Sequence, residues 1–202
     1  MPENKVFYGL KNVHYAIATE TTTDGVTTTS YGTPKAWPGA VNIALDPSGS
    51  PIIFAADNSA YYTLSNNKGY EGDFECARIP DDVRVDTLGA HEDSNGIIVE
   101  TDKDEVTYFA LLFEIDGDQR PNKYVFYKVS ISERPSINSQ TTDPSGDLEV
   151  GTDTVRFRAV PQTDTVEIDG KECHLVKAFT SANTDATEYA NFYSAVYTPD
   201  FL

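Results

Sequence analysis

Basic residues are the first shortage: 15 Lys and Arg stand against 32 Asp and Glu in 202 residues, a formal charge of −17. Nucleic-acid binding needs clustered cations, and anionic membrane surfaces attract the same groups, so the balance argues against both as direct partners. Histidine is scarcer still. His14, His91 and His174 fall in no H-E-x-x-H or H-x-x-x-H spacing, which removes the usual zinc and His-triad patterns. Two cysteines, Cys76 and Cys173, fit no zinc ribbon, and a chain of this size needs no disulfide staple. They are expected to be free thiols, buried or half-buried, in a reducing compartment. No apolar run approaches the ~20 residues of a membrane span, and Met1–Val6 lacks a signal-peptide core, so the expectation is a soluble, cytosolically made protein. Neither G-x-G-x-x-G nor a P-loop occurs. Acid pairs are plentiful (Asp81/Asp82, Glu92/Asp93), but 32 acids make such pairs by chance. Asp116-Gly117-Asp118 lacks the remaining ligands of a calcium loop and reads as a turn. No catalytic residue, metal ligand or cofactor site is therefore assigned.

What the chain has instead is strand-forming sequence. Residues 69–89, G-Y-E-G-D-F-E-C-A-R-I-P-D-D-V-R-V-D-T-L-G, look like its organising stretch. Tyr70, Gly72, Phe74, Cys76 and Arg78 alternate with Glu71, Asp73, Glu75 and Ala77, the pattern of a half-buried strand with one acidic face. Pro80 stops it and starts a short helix, with Asp81 and Asp82 in the first turn, Val83, Val85 and Leu88 as its apolar positions, and Gly89 as its stop.

Taken in order, residues 11–18 alternate as a first strand. The Thr-rich stretch 19–33 folds about Asp24-Gly25, a strong two-residue hairpin turn. With so little apolar content this hairpin is expected to project as an arm. Residues 40–46 form a strand ending at Pro47-Ser48-Gly49, and Ile52–Phe54 with Tyr61–Leu64 form a hairpin about Asp57-Asn58-Ser59. A polar loop is expected at about 57–69, and residues 90–105 read as a solvated acidic loop with a short Ile97–Val99 segment. Residues 106–116 are apolar nearly throughout, as in a strand covered on both faces, and 123–131 alternate. A long loop over 132–147, a strand at 155–159 and a hairpin about Asp169-Gly170 follow. Last comes a helix capped by Asp185 with Glu188 as its box partner, and Tyr189, Phe192, Tyr193 and Val196 on one face. The expectation is a single mainly β domain over 1–202, a sandwich or barrel with one short flanking helix and a C-terminal helix. Tyr61, Tyr62, Tyr70 and Trp37 would suit a sugar-stacking platform, although such residues more often serve a core or an interface.

Several stretches together carry a resemblance. They are Y-G-L-K-N-V-H-Y-A at 8–16, Y-G-T-P at 31–34, and P-G-A-V-N-I-A-L-D-P at 38–47. Phe54 through N-N-K-G-Y-E-G to I-P-D-D, then F-A-L-L-F-E-I-D-G-D-Q and S-E-R-P-S, continue it. In order and coverage the chain resembles the major tail proteins of long-tailed bacteriophages, the phi13-type family, over most of residues 5–161. The resemblance implies a tail-tube subunit: a β-sandwich with a flanking helix, six copies closing a ring, and rings stacking into a hollow tube. Its partners would be further copies of itself, the tape-measure protein and other tail proteins. DNA would pass through without specific binding, no membrane would be involved, and the protein would be made in the host bacterial cytoplasm and end in the virion tail. Asp24, Gly25, Asp57, Asn58, Tyr61 and Tyr62 are then candidate contacts between subunits or rings, and Glu71, Asp73 and Glu75 candidate lumen-facing acids. A carbohydrate-binding β-sandwich on a phage or cell surface is the alternative, and an acid-pair hydrolase a weaker third.

Charge sets a condition on assembly. Six copies would carry six times −17, or −102, and like charges within a Debye length of roughly 8–10 Å repel. Raising salt is accordingly predicted to promote self-association, read as sedimentation coefficient against ionic strength. Association that weakens steadily with salt would contradict it.

Overall fold

Residues 109–113 bury every side chain, Phe109, Leu111 and Phe113 to one side and Ala110 and Leu112 to the other. A strand flanked by two apolar layers must lie inside the sheet, and the remaining elements arrange themselves around it. The computed structural model describes residues 3–56, 58–64, 66–137, 139, 141, 146 and 150–201. The chain runs β1 (Phe7–Thr23), β2 (Val26–Tyr31), β3 (Lys35–Ala36), β4 (Ala40–Ser48), β5 (Ile52–Ala56), β6 (Ser59–Leu64) and β7 (Gly69–Cys76). Helix α1 (Asp81–Leu88) follows, then β8 (His91–Glu92), β9 (Ile98–Val99), β10 (Phe109–Gly117), β11 (Asn122–Glu133) and β12 (Asp153–Val160). The chain closes with β13 (Val166–Ile168), β14 (Lys171–Cys173), β15 (Lys177–Phe179) and α2 (Ala186–Asn191).

The protein is mainly β. One antiparallel sheet has the order β2-β1-β10-β11-β12-β7-β4, with β15 also paired to β11 and β3 to β1. Two-stranded hairpins β5-β6, β8-β9 and β13-β14 stand apart from it. The sheet curls, because β3 pairs with β1 through Tyr15↔Lys35 while only three residues separate β3 from β4, at the other end of the order. Trp37 sits in that closure, its N–H bonded to the Val13 carbonyl, and Ala77 N–H bonds to the Gly39 carbonyl.

Inside the curl, Val13, Tyr15, Trp37, Phe74, Phe109 and Phe157 form the main core, plugged by Ile79, Val83 and Leu88 of the α1 segment. Phe157 is its centre, stacked on Phe74 at 5.6 Å and edge-on to Trp37 at 5.8 Å and Phe109 at 5.9 Å. Tyr15 binds the helix directly, its hydroxyl donating to Asp86 Oδ2 at 2.8 Å and to Asp82 Oδ2 at 3.3 Å. The expected start and stop of α1 both hold: Asp81 and Asp82 occupy its first turn, and Gly89 ends it at φ 74°. Outside the curl, Ala16, Ala110, Leu112, Val125 and Tyr127 are covered by Phe192 and Val196 of the C-terminal segment. Lys123 fixes that cover, its Nζ donating to the Tyr189 carbonyl at 2.7 Å and lying 4.1 Å from the Tyr189 ring centre. Burial holds its pKa below the ordinary lysine value.

Some expectations need correction. The loop set at 57–69 is half strand, since Ser59–Leu64 forms β6 and the polar connection shrinks to the residues before Gly69. The C-terminal helix ends at Asn191, where Ser194 N–H turns back to the Asn191 carbonyl, so that Phe192 and Val196 reach the sheet from a turn rather than from a helical face. The strand β15 was not anticipated; three residues are too short for a period to show. Of the loop expected over 132–147, residues 132 and 133 extend β11, and 138, 140, 142–145 and 147 lie outside the described residues.

Phe157→Ala should cost about 3–5 kcal/mol, the range for emptying a buried aromatic site. Urea unfolding monitored by circular dichroism measures it, with the m-value unchanged. A loss below about 1 kcal/mol would mean the core is not organised around this ring.

Candidate assembly surface

Two of the hairpins carry the candidate contacts, and their chemistry is opposite. The first continues β1 into β2, register Ala18↔Tyr31 to Thr23↔Val26, through a turn in which Asp24 and Gly25 both have positive φ (52° and 80°). That is the geometry a two-residue hairpin turn demands, and Gly at its second position relieves the strain. Its root is tied down by polar groups. Lys128 Nζ donates to Glu20 Oε1 at 2.5 Å and to Thr163 Oγ1 at 2.6 Å, and lies over the Tyr108 ring at 4.6 Å. Thr29 Oγ1 donates to Asp164 Oδ1 at 2.7 Å, and the Tyr31 hydroxyl to the Tyr127 carbonyl at 3.1 Å. The continuously exposed part of the arm is residues 19–26.

The second hairpin, β5-β6, pairs Ile52↔Leu64, Ile53↔Thr63 and Phe54↔Tyr62, turning at Asn58 with φ 60°. Its side chains are apolar on both faces and bare: Phe54 is 61% exposed, Tyr61 70%, Tyr62 57%, and Ile52, Ile53 and Leu64 are exposed with them. Alternation along a strand sends neighbours to opposite faces, so one small hairpin cannot hide both. Asn58, Tyr61 and Tyr62 are therefore gathered on one projecting element, remote in character from Asp24 and Gly25. Asp57, also a candidate contact, lies outside the described residues. The hairpin expected from Ile52–Phe54 and Tyr61–Leu64 is present, and the polar stretch is confined to the residues between β6 and Gly69.

The proposed sugar platform does not form as a group of four. Trp37 is fully buried in the sheet closure, and Tyr70 is half-buried edge-on to Phe126 at 5.2 Å. Tyr61 and Tyr62 alone are open to a ligand.

The acids of β7 do share a face. Glu71 and Asp73 are exposed and Glu75 half-buried, while Phe74 and Cys76 point into the core. Their cross-strand partners, however, include Arg158 opposite Glu71 and Arg156 opposite Asp73 on one side, and Asp46 opposite Glu71 on the other. Four acids against two arginines leaves this patch net negative by two, a mixed surface rather than a purely acidic one. Period-two reading finds the acids; only register reveals the arginines.

The three histidines stand apart from one another. The His14 ring packs on Tyr193 at 4.6 Å, His91 pairs with Asp104 at 3.5 Å, and His174 Nδ1 lies 3.3 Å from the Asp164 carbonyl. Both cysteines are free, Cys76 buried and Cys173 half-buried, and burial pushes the Cys76 thiol pKa up. Among the described residues, no group of three or more His, Cys, Asp or Glu is placed to hold a metal, and no helix is long and apolar enough to cross a membrane.

The arm root gives a pH prediction. The Lys128 hydrogen bond, seconded by Thr163, holds the Glu20 carboxyl below the usual carboxylate range. A depressed folded pKa stabilises fully above the unfolded value, about 4.3, and that contribution disappears as pH falls through the folded value. Lys128→Met should therefore lower the melting temperature at neutral pH and converge on the wild type in acid, with faster hydrogen exchange at Thr19–Thr23. Melting curves that differ equally at pH 7 and pH 3 would refute the ion pair's role.

A scan against protein-family models and a search of the curated proteins return no match for this chain.

Proposed function

We propose that this chain is a structural subunit of a phage tail tube, assembling with copies of itself into rings that stack as a conduit for DNA. The observation that carries this reading is the β5-β6 hairpin, which presents six large apolar side chains to solvent on both faces. Soluble monomers rarely expose such a contiguous patch, and projecting apolar ribbons are covered by partners. Three further features support it. The fold is mainly β, as the resemblance implies; the described strands of the large sheet end at β2 and β4, and an end strand can accept a neighbouring strand; and the three histidines lie apart from one another. In this reading Asp24 and Gly25 at the arm tip and Asn58, Tyr61 and Tyr62 on the hairpin make contacts between copies. The β7 face with Glu71, Asp73 and Glu75 lines the lumen, where its net charge of −2, with Arg158 and Arg156 set opposite Glu71 and Asp73, offers DNA few cationic contacts and so little counterion release.

The competing reading, a carbohydrate-binding module, draws on the exposed Tyr61 and Tyr62 rings. One experiment separates the two. Wild-type protein at rising concentration is followed by analytical ultracentrifugation and negative-stain microscopy beside the variant Phe54→Ser/Tyr62→Ser. Both positions are exposed, so the variant should keep the wild-type circular dichroism spectrum. Its association should weaken at least about 30-fold, the equivalent of losing one anchor of about 2 kcal/mol. Monomers that never associate but are retained by a glycan column would overturn the proposal in favour of sugar binding.

A further inference from the structure

Phe179 is the last rung of an aromatic ladder that begins in the core. Tyr70 meets Phe126 edge-on at 5.2 Å, Phe126 stacks on Phe113 at 6.1 Å, Phe113 on Tyr124 at 5.2 Å, and Tyr124 on Phe179 at 5.7 Å. The terminal ring is 55% exposed, so the stack ends at solvent. A groove opens on either side of it. One, of about 230 Å³, is lined by Phe192, Tyr197 and Glu188; the other, of about 210 Å³, by the exposed Phe7 and by Asn122. Small-molecule pockets begin at about 300 Å³. Each groove is instead sized for a single side chain, the arrangement in which an interface anchor is held.

We propose that this double socket receives the β5-β6 hairpin of a second copy of this chain, with Phe54 and Tyr62 seating against Phe179 and Phe7. The inference rests on the self-assembly reading above and names the surface that reading requires. Two observations select the occupant. A bare aromatic ring at the end of a rigid stack fits another aromatic ring, and the hairpin is the element of this chain that carries exposed rings on a projecting ribbon.

Charge agrees. The hairpin from Ile52 to Leu64 contains one charged residue, Asp57. On the socket side, Val6–Leu10 contains none, and Leu175–Thr184 contains only Lys177. The charged residues lining the grooves are Asp185 and Glu188 on one side of Phe179 and Glu3 and Arg120, of opposite sign, on the other. Asp185 is turned into the helix cap, accepting from the Thr187 and Glu188 amides. In a chain of −17, the hairpin and the socket each carry little net charge, so copies can meet there with little opposition from their surplus negative charge.

The geometry of such a contact has a consequence. Hairpin and socket are different surfaces, so each copy donates one and accepts one, and the contact propagates head to tail instead of closing as a symmetric dimer.

Two measurements test the socket. In a Cys173→Ser background, Tyr62→Cys and Phe179→Cys proteins are mixed and oxidised, and the mixed disulfide is identified by mass. Separately, Phe179→Arg is compared with wild type by ultracentrifugation and circular dichroism. The mixed disulfide should form, and Phe179→Arg should keep its fold while associating roughly tenfold or more weakly. Wild-type-like association of Phe179→Arg without the mixed disulfide would overturn the socket and leave self-assembly standing. A wild type that stays monomeric at every concentration and salt would overturn both. Should Phe179→Arg fail to fold, the presence or absence of the mixed disulfide decides.

Discussion

Everything in this fold depends on burying both faces of β10. Phe109, Leu111 and Phe113 require a layer on one side and Ala110 and Leu112 a layer on the other, and the two layers come from distant parts of the chain. The inner layer is made by curling the sheet until β3 and β4 close it over Trp37, with α1 as the plug. The outer layer is the C-terminal segment, held by Phe192 and Val196 and by Lys123 against Tyr189. An apolar strand of this kind cannot sit at a sheet edge, where one of its faces or its backbone would meet water without compensation. The strand order, and with it the location of both free edges, follows from that single demand.

The two projecting hairpins divide the labour between polar and apolar chemistry. The arm made by β1 and β2 has almost no apolar surface, yet its root is fixed by Lys128, Glu20, Thr163 and Asp164. Charged groups held this way in a half-buried setting give direction more than stability. The β5-β6 hairpin has the reverse character: strong apolar side chains and no core to receive them. A polar ribbon is content in water, whereas an apolar one is driven to find cover. That difference makes the second hairpin, not the first, the element with the greater free energy to release on association.

Charge restricts where that cover can be. At −17 per chain, broad acidic surfaces face one another only at a cost that salt lessens. The β7 face moderates its own charge by setting Arg158 and Arg156 opposite Glu71 and Asp73. The hairpin, with a single charged residue, and the ground around Phe179, low in net charge, both carry exposed aromatic rings. Apolar contact at few points, with acids left to free surfaces, would reconcile a strongly negative chain with the self-association proposed above.

Local chemistry was legible from the sequence wherever the cause was local. Asp24-Gly25 and Asp169-Gly170 announce turns because each needs positive φ at both positions, and all four residues have it. Pro80 and Gly89 bound α1, and the unbroken apolar run of β10 declared a strand covered twice. Period two placed Glu71, Asp73 and Glu75 on one face. What tertiary structure alone decided was each thing that depends on a partner far along the chain. Trp37 could have been a surface ring; pairing of β3 with β1 buried it. Tyr61 and Tyr62 carry the same residue type as Tyr15, which is wholly enclosed, and only the absence of a sheet neighbour for β5 and β6 left them bare. The arginines opposite the β7 acids stand more than 80 positions away in sequence, joined to them by register. Conformational preference is set within a few residues, so sequence reveals it; burial and pairing are properties of surfaces that exist only after the chain has closed on itself.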